Sequence, residues 1–141
     1  MKKLIVITGI FILCWSLIGC NNPVKGIKAQ YFTISYGETM FDAINRVDTE
    51  TVDLLVNNYN NIELTSMTTE EINYGHAITI TFINNDQISG QITIDDKGIF
   101  LINGKNSEVE NYMIEEDNEF YETALEVFYD LKEDYEKWFF I

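Results

Sequence analysis

The sequence is poor in the side chains that most catalytic and cofactor sites require. Among 141 residues there is one histidine, one proline, one arginine and two cysteines. Zinc and haem sites take clustered His or Cys ligands, so the lone His76 provides no cluster and reads as a surface or strand-edge residue. Serine catalysis needs a base in a recognisable setting, and neither Gly-x-Ser-x-Gly nor Ser-x-x-Lys occurs. Glycine-rich phosphate loops are missing too. Lys and Arg number nine against 23 Asp and Glu. Nucleic acid is excluded as a partner, because its binding rests on basic contacts to phosphate. No cofactor is expected.

What the chain does have begins at its N-terminus. Lys2 and Lys3 precede an apolar run from Leu4 to Trp15, broken only by Thr8 and Gly9, and Leu17-Ile18-Gly19-Cys20 follows. A basic start, a short apolar stretch and a small residue before a cut describe a secretory signal. A spanning helix, the alternative, needs roughly 17–25 apolar residues. Here Asn21-Asn22-Pro23 stops the run, with no Lys/Arg cluster behind it as a stop-transfer flank.

At Leu17-Ile18-Gly19-Cys20 the chain resembles the lipobox of bacterial lipoprotein precursors. The resemblance covers the first 20 residues. It implies a diacylglyceryl group on the Cys20 sulfur and cleavage between Gly19 and Cys20, where a tight peptidase subsite demands a small residue. Two acyl chains suffice for stable anchoring. The expected location is therefore the cell membrane, on its extracytoplasmic side, held by covalent lipid. Scarce proline and arginine with abundant Asn, Ile, Lys and Glu make the chain look like the small lipoproteins of low-GC Gram-positive bacteria.

Processing has chemical consequences. Residues 1–19 form the cleaved signal, 20–29 the lipidated cysteine and a short tether, and 30–141 a single ectodomain. Cys14 leaves with the signal and Cys20 is consumed by lipid, so the ectodomain has no thiol. Disulfides, thiol catalysis, iron–sulfur clusters and thiolate zinc are excluded together. A flexible tether of this length reaches only about 15–20 Å from the bilayer. All 23 acids lie beyond residue 20, against seven Lys and Arg, a net charge of −16. From Glu108 to Ile141 there are twelve acids against Lys132 and Lys137. Such a surface is soluble and repels anionic lipid. Its functional readings are a basic partner or weakly held divalent cations.

Periodicity gives an α+β fold. Phe32, Ile34 and Tyr36 alternate along a strand. Thr39 to Val47 fits either a helical stripe or a returning hairpin strand, and the strand is preferred. Asp48 caps a short helix over 49–60, with Val52, Leu55, Val56 and Tyr59 on one face. Ile62 to Thr65 reads as a strand. An antiparallel meander follows over 76–102, with Ile78, Ile80 and Phe82 facing Ile88, Ile92 and Ile94, and Asn103-Gly104 closing it as a hairpin turn. Asn118 opens a long amphipathic helix over 118–138, its apolar stripe running through Tyr121, Ala124, Leu125, Phe128, Leu131, Tyr135 and Trp138. The expected arrangement is an antiparallel sheet of about four to six strands with both helices on one face.

Candidate chemistry is sparse. Asn84-Asn85-Asp86, Asp95-Asp96-Lys97-Gly98 and Glu115 to Glu119 have calcium-type oxygens but lack the spacing of a calcium loop. A glycosidase needs two carboxylates about 5–9.5 Å apart, and 23 candidates single out no pair. Trp138, Phe139 and Phe140 form the one aromatic cluster that suggests an interaction site or a membrane-interface contact; packing into the core is the alternative. The expectation is a non-catalytic binding or accessory ectodomain that takes an envelope protein or peptide on a sheet edge or outer sheet face. The alternative is a small envelope hydrolase using carboxylates.

Overall fold

Alternation along the first strand sorts its side chains as the pleat requires. Phe32 and Ile34 are fully buried, while Tyr31, Thr33 and Ser35 stay half-exposed on the other face. The computed structural model describes residues 26–103, 109–114 and 119–139, except for the side chains of 64–67, 103, 109–112, 114 and 138–139. In chain order the elements are β1 (Tyr31–Tyr36), β2 (Thr39–Asp42), α1 (Thr49–Asn60), β3 (Leu64–Met67), β4 (Ile78–Asn84), β5 (Gln87–Ile94), β6 (Ile99–Asn103), β7 (Val109–Ile114) and α2 (Phe120–Phe139). The domain is α+β.

Among the described residues all pairings are antiparallel, in one seven-stranded sheet of order β2-β1-β4-β5-β6-β7-β3. The meander β4 to β7 fills the middle, and the chain between β1 and β4 supplies α1 and the far edge strand β3. Gly37, at φ 58°, makes the β1–β2 turn, where a left-handed backbone favours glycine. Asn85 and Asp86, at φ 50° and 58°, form the β4–β5 turn. Two positive-φ residues match the hairpin turn whose twist suits antiparallel strands. The ambiguous stretch after Gly37 is a strand only as far as Asp42. Beyond it Arg46 N donates to the Ala43 carbonyl at 3.1 Å in a turn.

Asp48 starts α1 as its sequence suggests: its carboxylate accepts the Thr51 N–H at 2.8 Å. Val52, Leu55, Val56 and Tyr59 are its buried face. Along α2 the buried stripe is Phe120, Ala124, Val127, Phe128 and Leu131, with Tyr121 and Leu125 packed at its margins. Asn118 lies outside the described residues. Both helices cover one sheet face, where Phe32, Ile34, Ile78, Ile80, Phe82, Ile92, Ile94 and Phe100 complete the main core. Each such buried side chain contributes roughly 1.5–3 kcal/mol.

Three details differ from the sequence reading. Ile88 does not continue the line of Ile92 and Ile94. The register shifts between Phe82↔Gly90 and Ile83↔Ile88, a bulge at Ser89 that turns Ile88 to the opposite face, 70% exposed. The sheet is also wider than four to six strands, because β7 pairs with both β6 and β3. The strand near residue 62 begins at Leu64, after Ile62 has been buried.

A second, smaller cluster lies on the opposite face. Ile72, Ala77 and Ile99 are buried there, with Leu101 and Met113 against them. Ile99 and Leu101 alternate with Phe100 and Ile102, which belong to the main core. Thus the segment before β4 covers the outer face at β6 and β7. It leaves β1, β4 and β5 open.

Candidate functional site

The open part of the outer face is built by register. Thr33 lies opposite Thr81, and Thr81 opposite Gln91. One row along, Ser35 lies opposite Thr79, and Thr79 opposite Thr93. Neighbouring strands stand about 4.8 Å apart and same-face residues about 6.7 Å apart along a strand, so these six side chains form a flat polar grid. All are half-exposed. A third row, Tyr31, Ile83 and Ile88, borders the grid at one end.

Two features distinguish this face. Its outward positions on β1, β4 and β5 carry no Asp, Glu, Lys, Arg or His, in a chain with 23 acids. Its polar groups also satisfy one another. The Thr79 and Thr93 hydroxyls are 2.8 Å apart, and the Gln91 amide donates to the Thr81 hydroxyl at 2.8 Å. Covering such groups costs less than covering hydroxyls that lose water without replacement.

The β2 edge of the sheet is poorly suited to accept a strand. β2 has four residues, and the Tyr135 hydroxyl donates to the Asp42 carbonyl at 3.1 Å, so α2 occupies part of that margin. Tyr135 also stacks on Phe41, ring centroids 4.7 Å apart, and the Arg46 guanidinium sits over the Tyr135 ring, 3.9 Å from its centroid. Ile44, Asn45, Arg46 and Asp134 line a shallow cleft of about 460 Å³ beside this stack. A guanidinium on an aromatic face is a stabilising contact, here fastening the loop before α1 to α2.

His76 lies at the end of the sheet near Tyr36. Its Nδ1 is 3.0 Å from the Asp96 carboxylate, and its carbonyl accepts the Tyr121 hydroxyl at 2.9 Å. Partial burial and the adjacent Tyr36 hydroxyl push the Tyr121 phenol well above its ordinary range. Asp95 beside it is fully buried, and both its oxygens accept main-chain N–H groups. That is the work of a turn-fixing carboxylate. Among the described residues no group of three His, Cys, Asp or Glu is arranged to hold a metal ion.

The residues singled out from sequence lie mostly elsewhere. Gly19, Cys20 and Phe140 are outside the described residues, and α2 carries the backbone of Trp138 and Phe139, whose side chains are not described. No described helix is long and apolar enough to cross a membrane. The grid was hidden because alternating Thr and Ser look like ordinary solvent-side positions until register aligns them. Comparison with known proteins finds no matching family model, no matching curated protein and no matching solved structure.

Proposed function

We propose that the chain is a lipid-anchored, extracytoplasmic accessory protein that docks an envelope protein on the open outer face of β1, β4 and β5. The observation that carries this is the charge-free grid. Interface cores are depleted of charged side chains relative to the surrounding surface, and here the depletion occurs in a chain whose residues beyond 20 carry a net charge of −16. The mutual hydrogen bonds of Thr79 with Thr93 and Gln91 with Thr81 lower the desolvation cost of contact. An uncharged, flat protein surface is the partner that suits this face. The scarcity of catalytic groups supports a binding role rather than turnover.

A second reading has its own observation. The exposed side of α2 presents Glu119, Glu122, Glu126, Asp130, Glu133, Asp134 and Glu136, which suits a basic partner. Lys137 offsets part of this charge, 3.0 Å from Glu133 and 3.8 Å from Asp134. Salt separates the two readings, since screening weakens exposed charge pairs and spares an uncharged contact. The experiment extracts the lipidated protein in mild detergent with its envelope neighbours and sizes it at low and high salt. A complex that survives salt and is lost in Thr81→Lys supports the sheet face; one dispersed by salt assigns binding to α2. A monomer under both conditions, with turnover of cell-wall glycan, would replace docking by the hydrolase reading.

A further inference from the structure

We infer that the end of the domain where the tether joins, with Ile88, Ile83 and Tyr31 at its corner, rests on the lipid bilayer and orients the domain; this builds on the lipid-anchor reading above. The join is fixed by hydrogen bonds. The Asn60 side chain accepts the Ile27 N–H at 2.7 Å and donates to the Ile27 carbonyl at 3.0 Å. Gln30 N donates to the Ile83 carbonyl at 2.8 Å, and the Gln30 side chain accepts the Asn85 N–H at 2.9 Å. The chain therefore meets the domain between the carboxy end of α1 and the β4–β5 turn. Only Asn21 to Gly26 separate Ile27 from Cys20, and even fully extended that stretch spans at most about 25 Å.

What stands at this end suits a headgroup surface. The bulge at Ser89 turns Ile88 outward beside Ile83 and Tyr31, leaving it 70% exposed. At the same end of the domain are Asn57, Asn58 and Asn61, where α1 finishes on the helix side, and Asn84 and Asn85 at the β4–β5 turn. These are uncharged groups able to hydrogen-bond phosphate and glycerol oxygens. Asp86 in the β4–β5 turn adds an acid to this corner, and Lys28 lies in the joining segment. The opposite end of the sheet is different: Glu38 sits in the β1–β2 turn, Asp96 meets His76, Glu119 precedes α2 and Glu122 lies in its first turn.

Apart from Asp86, acids near this end belong to the helix side, where α2 passes Phe41 and Asp42, sets Asp134 beside Arg46 and pairs Glu133 with Lys137, while the corner at Ile88 otherwise presents apolar and neutral groups. A weak contact is enough, because a short tether holds this corner at high effective concentration beside the bilayer. In this orientation the strands rise from the membrane and the polar grid faces sideways, accessible to a neighbouring envelope protein.

The test uses mature, lipidated protein in phosphatidylcholine vesicles containing phosphatidylglycerol. The ectodomain has no thiol of its own, so Ile88→Cys and, separately, Glu38→Cys each accept one nitroxide. The expected result is that the label at 88 loses collisions with a water-soluble nickel chelate and gains them with oxygen, while that at 38 remains aqueous. A label at 88 as aqueous as that at 38 overturns the inference. Shielding of 88 in native membranes but not in pure lipid overturns it too, in favour of a protein contact. Mass spectrometry of Cys20 in the same sample keeps the readings apart: lipid present with 88 aqueous sinks only the membrane-resting corner, and lipid absent sinks both.

Discussion

The buried Asp95 carboxylate accepts the main-chain N–H of Asn73 at 3.0 Å, and this bond, beside the exposed His76–Asp96 contact, ties the segment covering half of the outer face to the β5–β6 turn. Its other oxygen accepts Lys97 N–H and Ile99 N–H, each at 3.0 Å. One side chain therefore shapes a turn and positions Ile72 and Ala77 over Ile99. Where that cover stops, the open grid begins.

Asp95→Asn should divide these two tasks. An amide keeps one acceptor oxygen for the turn but presents N–H to the N–H of Asn73, donor against donor. Faster amide exchange at residues 72–77, with protection of 97–99 retained, is the expected pattern. Asp95→Ala strands three donors and should cost about 3 kcal/mol or more in urea unfolding. Equal exchange in both segments of the Asn variant would show that the bond to Asn73 contributes nothing.

The Asp48 cap makes a pH prediction. Accepting the Thr51 N–H holds the Asp48 carboxyl below its ordinary value of 3.8. A depressed carboxylate adds stability that is fully present above the unfolded value and lost as pH falls through the folded one. Asp48→Asn keeps a capping oxygen but does not titrate. Its melting temperature should lie below that of the parent at neutral pH, and the gap should narrow as pH falls below 4. A gap unchanged by acid would mean the charge on Asp48 is irrelevant.

Tyr121 sets the alkaline limit. Its phenol is raised above the ordinary value of 10.0 by burial first, then by the Tyr36 hydroxyl and neighbouring charge. A raised phenol contributes stability that is complete below the unfolded value and lost as pH rises through the folded one. Thermal melts above pH 10 should show the parent losing stability faster than Tyr121→Phe, which cannot ionise. Parallel curves would contradict the assignment.

Gly90 is a place where a side chain does not fit. A Cβ there would stand 3.0 Å from Ile27 Cδ1 and 3.3 Å from the Tyr59 ring. Gly90→Val should therefore displace Ile27 and cost about 1–3 kcal/mol by overpacking. Loss of protection at the Ile27 amide, held by Asn60, is the local readout. Unchanged protection and stability would show that Ile27 is not packed there.

Much of this fold was legible because local signals agreed. Asp48 capping, the Val52-Leu55-Val56-Tyr59 stripe and the Asn85-Asp86 turn each follow from short-range chemistry. β7 was not legible: Val109 to Ile114 lies in an acid-rich stretch and becomes a strand only by pairing with β6 and β3. Ile88 misled for a similar reason, since a bulge at Ser89 reverses the face of everything before it. The outer grid depends on cross-strand register between β1, β4 and β5, which no single strand encodes. Buried Asp95 resembled an ordinary turn aspartate, because its partner Asn73 lies 22 residues away.

Docking through the uncharged face comes down to where the partner touches. A photo-crosslinking residue placed at Thr81 in intact cells should give one adduct of fixed mass that persists at high salt and disappears in Thr79→Lys. The same probe at Glu126, on the acidic side of α2, should give none. An adduct at Glu126 with nothing at Thr81 would contradict docking on the sheet face and assign recognition to the acidic helix.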